Sequence, residues 1–403
     1  MSNRIRANPD CTIQIAFGEP IPPVGYGGVE RVVEGVSSGL SRLGWTVLTI
    51  GNRGTHDRRD SGHTYVDIRT PRLRANGRFP RLIAETAFVL RALRCIHCIQ
   101  QPNRIVVVQT YGEFVAIVLE IFKALLGWSC IIVFQPAGYD LLYATSTRRR
   151  LKLFPVRFLL GRVKVVAISQ AVQDALIRTF SAPPKSVTLI PSAIDDKVYE
   201  HAALLKATPK RDVVLNVSRV CWRKNQLVLA KAFARIIVER PDMKLHLVGR
   251  PDGEGDQNYV TELKKYISNN NLSDRVEILG EVAASDLYAE LASSKLFVFP
   301  SHVETQGLAP LEAMAFGLPV VASNIKPVVQ MMDMGGKSCG VNIDPDDEVA
   351  WANAILHIIN DEELAGRLSA QSLEQARRFT WDRVARQYSN LYTKLIRETE
   401  NTN

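Results

Sequence analysis

The chain has 403 residues, which is long for one hydrophobic core and ample for two. With 23% charged and 46% hydrophobic residues its composition is that of an ordinary globular protein, which excludes a fibrous or low-complexity chain. The net charge of +9 is uneven: residues 1–180 hold 24 Lys/Arg against 12 Asp/Glu, and residues 181–403 hold 26 against 29. Only the first half therefore suits an acidic surface. No zinc-finger, RNP or basic-zipper pattern accompanies the charge, so nucleic acid is not an expected partner.

The opening MSNRIRANPD lacks an apolar run, so no signal peptide is read and a cytoplasmic location is expected. Apolar runs CTIQIAF, RIVVVQ, CIIVF, VKVVAI and SVTLI then read as buried parallel strands. Helical stretches are predicted between them at 29–43, 81–99, 114–126 and 170–180, the last capped by Ser169. The apolar stretch 114–134 carries Glu120, Lys123 and Gly127. It parses as helix, turn and strand, not as a membrane span. Cys95 and Cys98 form a CxxC around His97. With no second pair at metal spacing, they are expected to sit as small apolar residues on the buried side of a helix.

The alternation restarts near residue 211. Strands DVVLNV, KLHLVG, RVEILG, KLFVFP and PVVAS alternate with helices near 225–239, 257–270, 285–293 and 308–316. Such alternation predicts two doubly wound α/β domains. The break is expected around 195–210, where Pro191, Asp195, Asp196 and Pro209 interrupt the pattern. The domains are thus 1–200 and 201–379, with a last amphipathic helix at 380–398 packing back on the first. Its apolar face is Trp381, Val384, Tyr388, Leu391 and Leu395. Ligands of such sheets bind at the carboxyl ends of the strands, which points to a cleft between the domains.

The most informative stretch is FVFPSHVETQGLAPLEAMAFGLPVVAS, residues 297–323. A strand ends at Pro300, a loop carries Glu304 and Gly307, and a helix follows with Pro310 in its first turn and Gly317 at its end. The free amides and dipole of that helix start suit a phosphate. Glu304 and Glu312, eight residues apart, suit the hydroxyls of a sugar, which donate hydrogen bonds.

This Glu-x7-Glu pattern, with LEAMAFGLPVVAS around it, resembles the retaining glycosyltransferases of family 4, the group 1 glycosyl transferases. Those enzymes have the two-domain GT-B fold. The resemblance runs through most of the chain and is strongest at 211–360. It implies that Glu304 binds donor-sugar hydroxyls, that Glu312 binds the ribose, and that the backbone at Gly307 and Leu308 approaches phosphate and sugar. LNVSRVCWRKNQ resembles the family's diphosphate clamp, which gives that role to Arg219 and Lys224. Fixed cations there stabilise the charge that develops on a leaving diphosphate. The Gly-rich PPVGYGGVERVV implies donor contact at Gly27 and Gly28, with Tyr26 on the acceptor side. Val282, in the loop after ILG, implies a backbone contact to the base.

Two departures stand out. Where many relatives carry a histidine near the reacting centre this chain has Gln135, and where many carry an aromatic it has Gln306. Transfer on one face of the sugar lets the leaving phosphate take the acceptor's proton, so no side-chain base is required. Asp344, Asp346 and Asp347 precede a helix and are expected to cap it. No metal and no bound cofactor are expected; the donor is a UDP- or GDP-sugar and the acceptor a glycan or lipid-linked glycan.

The segments 69–94 and 147–164 mix arginine and lysine with Leu, Phe and Val. They suit peripheral association with an anionic membrane face. The rival readings are a degenerate nucleotide-sugar-binding relative, an epimerase or phosphorylase on the same fold, and an NAD dehydrogenase. The last lacks its dinucleotide fingerprint.

Overall fold

The structure, a computed structural model, describes residues 11–21, 28–53, 63–68, 78–99, 105–136, 157, 159–251, 253 and 256–401. The chain divides into two compact units, residues 1–193 with 381–403, and residues 194–380.

In the first unit, among the described residues, seven strands form one parallel sheet in the order β3-β2-β1-β4-β5-β6-β7. They are β1 (Cys11–Ile21), β2 (Thr46–Arg53), β3 (Thr64–Ile68), β4 (Val106–Thr110), β5 (Cys130–Phe134), β6 (Lys164–Ala167) and β7 (Val187–Leu189). The alternation of side chains along each strand builds two cores. On one face Ile13, Val108, Ile132 and Phe134 pack against α2 (Arg78–Ile99), α3 (Glu113–Leu126) and α4 (Gln170–Asp174). On the other, Val47, Val107, Val133 and Val166 pack against α1 (Gly28–Arg42) and the last helix. Within 114–134 the helix does end at Gly127, at φ +63°, before β5. The predicted 170–180 helix is only partly α: Ala175–Thr179 continue it as a π-helical turn. Ser169 accepts from Val172 N–H at 3.3 Å as its cap. The CxxC expectation holds for one residue only. Cys95 is half-buried on α2, whereas Cys98, on the same face but in the last turn of the helix, is exposed.

In the second unit α5 (Asp196–Leu204) leads into β8 (Val213–Val217), α6 (Gln226–Glu239), β9 (Lys244–Val248) and α7 (Gln257–Asn269). Then come β10 (Val276–Gly280), α8 (Ala284–Ser293), β11 (Leu296–Phe299), α9 (Leu308–Ala315) and β12 (Val320–Ser323). The unit closes with α10 (Lys326–Met332), β13 (Val341–Ile343), α11 (Glu348–Asn360) and α12 (Glu362–Ala376). Its strands are parallel in the order β10-β9-β8-β11-β12-β13. Strand order reverses between β8 and β11, so the loops at their carboxyl ends form a topological switch point.

The last helix, α13 (Trp381–Glu400), belongs to the first unit. Its buried face includes Trp381, Val384, Tyr388 and Leu395, together with Tyr392, while Leu391 is only partly covered. Gly35 and Gly39 on α1 make room for it: a Cβ on Gly35 would stand 1.9 Å from Trp381 Cε2, and one on Gly39 2.6 Å from Ala385 Cβ. Among the described residues no helix is long and apolar enough to cross a membrane.

Candidate functional site

The switch point of the second unit gathers most of the sequence-predicted residues. β8 ends at Val217 and leads into Ser218 and the exposed Arg219; a 3-10 turn, Trp222–Lys224, carries Lys224. β11 ends at Phe299 and leads into the loop of Glu304. The two loops meet: Lys224 Nζ donates to Glu304 Oε1, both side chains are mostly buried, and the ammonium lies 5.5 Å from the centroid of the Phe299 ring. Gly307 stands at φ +96° as the residue before α9, a conformation that disfavours any side chain. Leu308 is the first residue of α9, and Glu312 is buried one turn further along, 8% exposed. Gln306 is buried as well. Val282 is half-buried after the carboxyl end of β10, at the same edge of the sheet. The edge therefore presents two cations, two carboxylates and a helix start with free N–H groups, a set suited to a diphosphate and a polyol.

A chain of side-chain bonds positions Arg219. Asn216 Nδ2 donates to Val298 O at 2.8 Å, and Ser218 Oγ donates to Asn216 Oδ1 at 2.9 Å. The fully buried Gln226 donates from Nε2 to Ser218 Oγ and to Arg219 O, both at 2.8 Å. Gly249, at φ +139°, lies directly against this turn: a Cβ there would stand 2.0 Å from Ser218 O. Beyond it Val220 N–H donates to Arg250 O at 2.8 Å, tying the turn to the end of β9. Sequence reading missed Gly249, Gln226 and Asn216. The available signal was the glycine ending KLHLVG, the asparagine inside the otherwise apolar strand DVVLNV, and the glutamine that opens the helix after WRKN.

The acidic run before α11 has separate duties. Asp347 accepts from Val349 N–H and Ala350 N–H at 3.2 and 2.9 Å, which caps the helix, and Asp346 pairs with His302 at 2.8 Å. Among the described residues no three His, Cys, Asp or Glu side chains are grouped as metal ligands.

The remaining predicted residues belong to the first unit. Gly28 is the first residue of α1, whereas Tyr26 and Gly27 lie outside the described residues. Gln135 follows β5 and is turned inward, 4% exposed. Its Oε1 accepts from Gln109 Nε2 at 2.9 Å and from Tyr388 Oη at 2.5 Å. The network continues from Gln109 Nε2 to Tyr111 Oη at 2.9 Å, from Tyr111 Oη to Gln14 Oε1 at 3.0 Å, and from Tyr392 Oη to Gln109. Burial pushes the phenols of Tyr111 and Tyr388 well above their ordinary pKa and raises that of Tyr392, so all three remain donors. The acceptor oxygen of Gln135 is thus engaged by Gln109 of β4 and Tyr388 of α13. No periodicity in the sequence announces that pairing, since Gln135 and Tyr388 are 253 residues apart.

Two family models match the chain in succession: Glycosyltransferase Family 4 over residues 26–198, and Glycosyl transferases group 1 over residues 200–375. A D-inositol 3-phosphate glycosyltransferase of Stackebrandtia nassauensis is 30% identical over 250 residues, 57% of this chain and 55% of that protein. The match thus spans little more than half of that relative's length. Among solved structures, sucrose-phosphate synthase from Thermosynechococcus elongatus superposes with a TM-score of 0.77 at 22% identity, over 96% of this chain and 100% of that one. Anabaena HepE in complex with UDP and glucose does so with a TM-score of 0.73 at 20% identity, over 94% and 99%. At such identities these structures speak to the fold alone. With two successive Rossmann-like units and a family match over nearly its whole length, the chain belongs to the family 4, group 1 glycosyltransferases and has their GT-B fold.

Proposed function

We propose that this protein transfers a sugar from a nucleotide-diphosphate sugar to a glycan or lipid-linked acceptor, with retention of anomeric configuration. The observation that carries the reading is the meeting of Lys224 and Glu304 at the switch point, with the backbone carbonyl of Arg219 held by Gln226 after the neighbouring strand β8. In this reading the bond from the sugar's anomeric carbon to the diphosphate oxygen breaks, and Arg219 and Lys224 stabilise the charge left on the diphosphate. Glu304 orients the sugar through its hydroxyls, and Glu312 holds the ribose. The acceptor hydroxyl oxygen bonds the same face of the anomeric carbon, and its proton passes to the departing phosphate oxygen. Two cations and a helix start supply the positive charge, so the reaction is expected to proceed without a metal ion. The UDP and glucose in the Anabaena complex support a UDP-sugar donor, with GDP-sugars the alternative.

Gly27 and Gly28 are proposed to contact the donor and Tyr26 the acceptor, as the resemblance implies, and cell-surface polysaccharide or glycolipid synthesis is the proposed setting. A peripheral position on the inner membrane face is supported by exposed apolar residues beside arginines. Leu90, Arg91 and Arg94 are exposed on α2, and Ile121, Leu125 and Leu126 on the neighbouring α3. The test is a panel of UDP- and GDP-sugars, read by nucleoside diphosphate release and thermal shift, with and without a chelator. The product's anomeric configuration is then read by NMR. A β-linked product from an α-linked donor would overturn retention, and binding without turnover across donors and acceptors would favour a non-catalytic relative.

A further inference from the structure

Three loops of the second unit converge on one histidine outside the Glu-x7-Glu pair. His302 follows β11, and its backbone N–H donates to Arg223 O at 2.9 Å. Its ring Nδ1 lies 3.1 Å from Trp222 O, and its Nε2 lies 2.8 Å from Asp346 Oδ1. Both ring nitrogens thus face oxygens that can only accept. A neutral ring satisfies one of them, whereas the doubly protonated ring donates to both. The far end of the clasp is itself anchored. Asp344 O accepts from Nε1 of the fully buried Trp351 at 2.9 Å, Asp344 Oδ1 accepts from Asp346 N–H at 2.9 Å, and Asp347 caps α11. Asn225, held at φ +52°, adds a second tie by donating to Pro345 O at 2.7 Å.

An exposed ion pair by itself contributes little. This one differs in what it holds. Lys224 lies between two residues that are tied down, Arg223 by its carbonyl to His302 and Asn225 to Pro345, while its ammonium reaches Glu304, two residues beyond His302. The charged groups on the elements around the ring are Asp344, Asp346 and Asp347 of the acidic loop, Arg223 and Lys224 of the clamp turn, and Glu304 of its own loop.

We propose that His302 is a positioning residue: bridging the Trp222 carbonyl and Asp346, it fixes the turn that bears Lys224 against the loop that bears Glu304, and so sets the affinity for a nucleoside diphosphate. The proposal rests on the donor-site reading above. UDP is the probe, titrated calorimetrically into the full chain, with amide hydrogen exchange measured on the ligand-free protein. His302→Ala should weaken UDP binding on the order of tenfold, the loss of one charge-assisted bond. It should speed exchange at residues 220–225 while leaving α6 and the melting temperature nearly unchanged. His302→Gln, whose amide reaches toward Asp346, should recover part of the affinity. Asp346→Asn should resemble His302→Ala, and the double variant should add nothing further. Unchanged UDP affinity and unchanged exchange in His302→Ala would overturn the proposal, as would a general loss of protection accompanied by a lower melting temperature. If the unaltered protein binds neither UDP nor GDP, the donor-site reading fails, and the exchange at 220–225 decides the positioning role by itself.

Discussion

Lys224 and Glu304, eighty residues apart in the chain, neutralise each other at the carboxyl edge of the second sheet. The pair is mostly buried beside the Phe299 ring, so removing one partner exposes the other's charge in a place of low polarity. For Lys224→Ala, and for Arg219→Ala, turnover is expected to fall on the order of 10²-fold, as when other charge-stabilising donors are removed. Steady-state kinetics on both variants checks this. Near-normal turnover in both would take these residues out of the reaction.

The two signature carboxylates should behave oppositely toward free UDP. Glu304→Ala frees the Lys224 ammonium, so UDP affinity should hold or rise while kcat falls with the loss of sugar positioning. Glu312→Ala should lower UDP affinity with a smaller effect on kcat, because a ribose contact changes little during reaction. Calorimetry beside kinetics distinguishes the two. An unchanged Kd for UDP in Glu312→Ala would refute the ribose assignment.

Gly249→Ala is expected to damage the site from a residue that touches no proposed ligand. Its φ of +139° costs ~1–3 kcal/mol for a side chain, and the added Cβ would stand 2.0 Å from Ser218 O, forcing the Arg219 turn to move. The variant should melt lower and bind UDP more weakly than Gly253→Ala, since nothing lies within 4 Å of a Cβ at Gly253. Equal behaviour of the two variants would show that the close approach has no role.

Acid stability of the second unit should depend on Glu290. It accepts from His246 Nδ1 at 2.8 Å and pairs with Arg211 at 2.9 Å. Burial works to raise its carboxyl pKa, but the bonds from His246 and Arg211 outweigh burial and hold it below the ordinary 4.5. A carboxyl held low in the fold contributes stability above its unfolded pKa, and that contribution disappears as pH falls through the folded value. The difference in melting temperature between the unaltered protein and Glu290→Gln should therefore be largest near neutrality and shrink below about pH 4.5. A difference that stays constant down to pH 3 would contradict the assignment.

Membrane association should be salt-sensitive, with each Lys or Arg near an anionic surface contributing about 1 kcal/mol. Replacing Arg148, Arg149 and Arg150, which lie outside the described residues, should weaken liposome binding. So should Leu125→Ser with Leu126→Ser on the exposed end of α3. Indifference of the unaltered protein to anionic liposomes at low salt would instead favour a soluble acceptor.

The sequence by itself determined the two doubly wound units and the residues of the signature, because buried parallel strands read as uninterrupted apolar runs and helix starts carry local punctuation such as Gly307 and Pro310. It also marked the face of α13, since an amphipathic period is a local property. Tertiary structure decided what distant residues do to one another. It joined Lys224 to Glu304, brought Gly249 against Ser218, and enclosed Gln135 with Gln109 and Tyr388. Asp346, in the loop after the short β13, finds its partner in His302, on the far side of two strands in sequence. Such pairings come from strand order in the sheet, and strand order leaves no periodic trace in the chain, because hydrophobic period reports which face is buried and not which neighbour buries it.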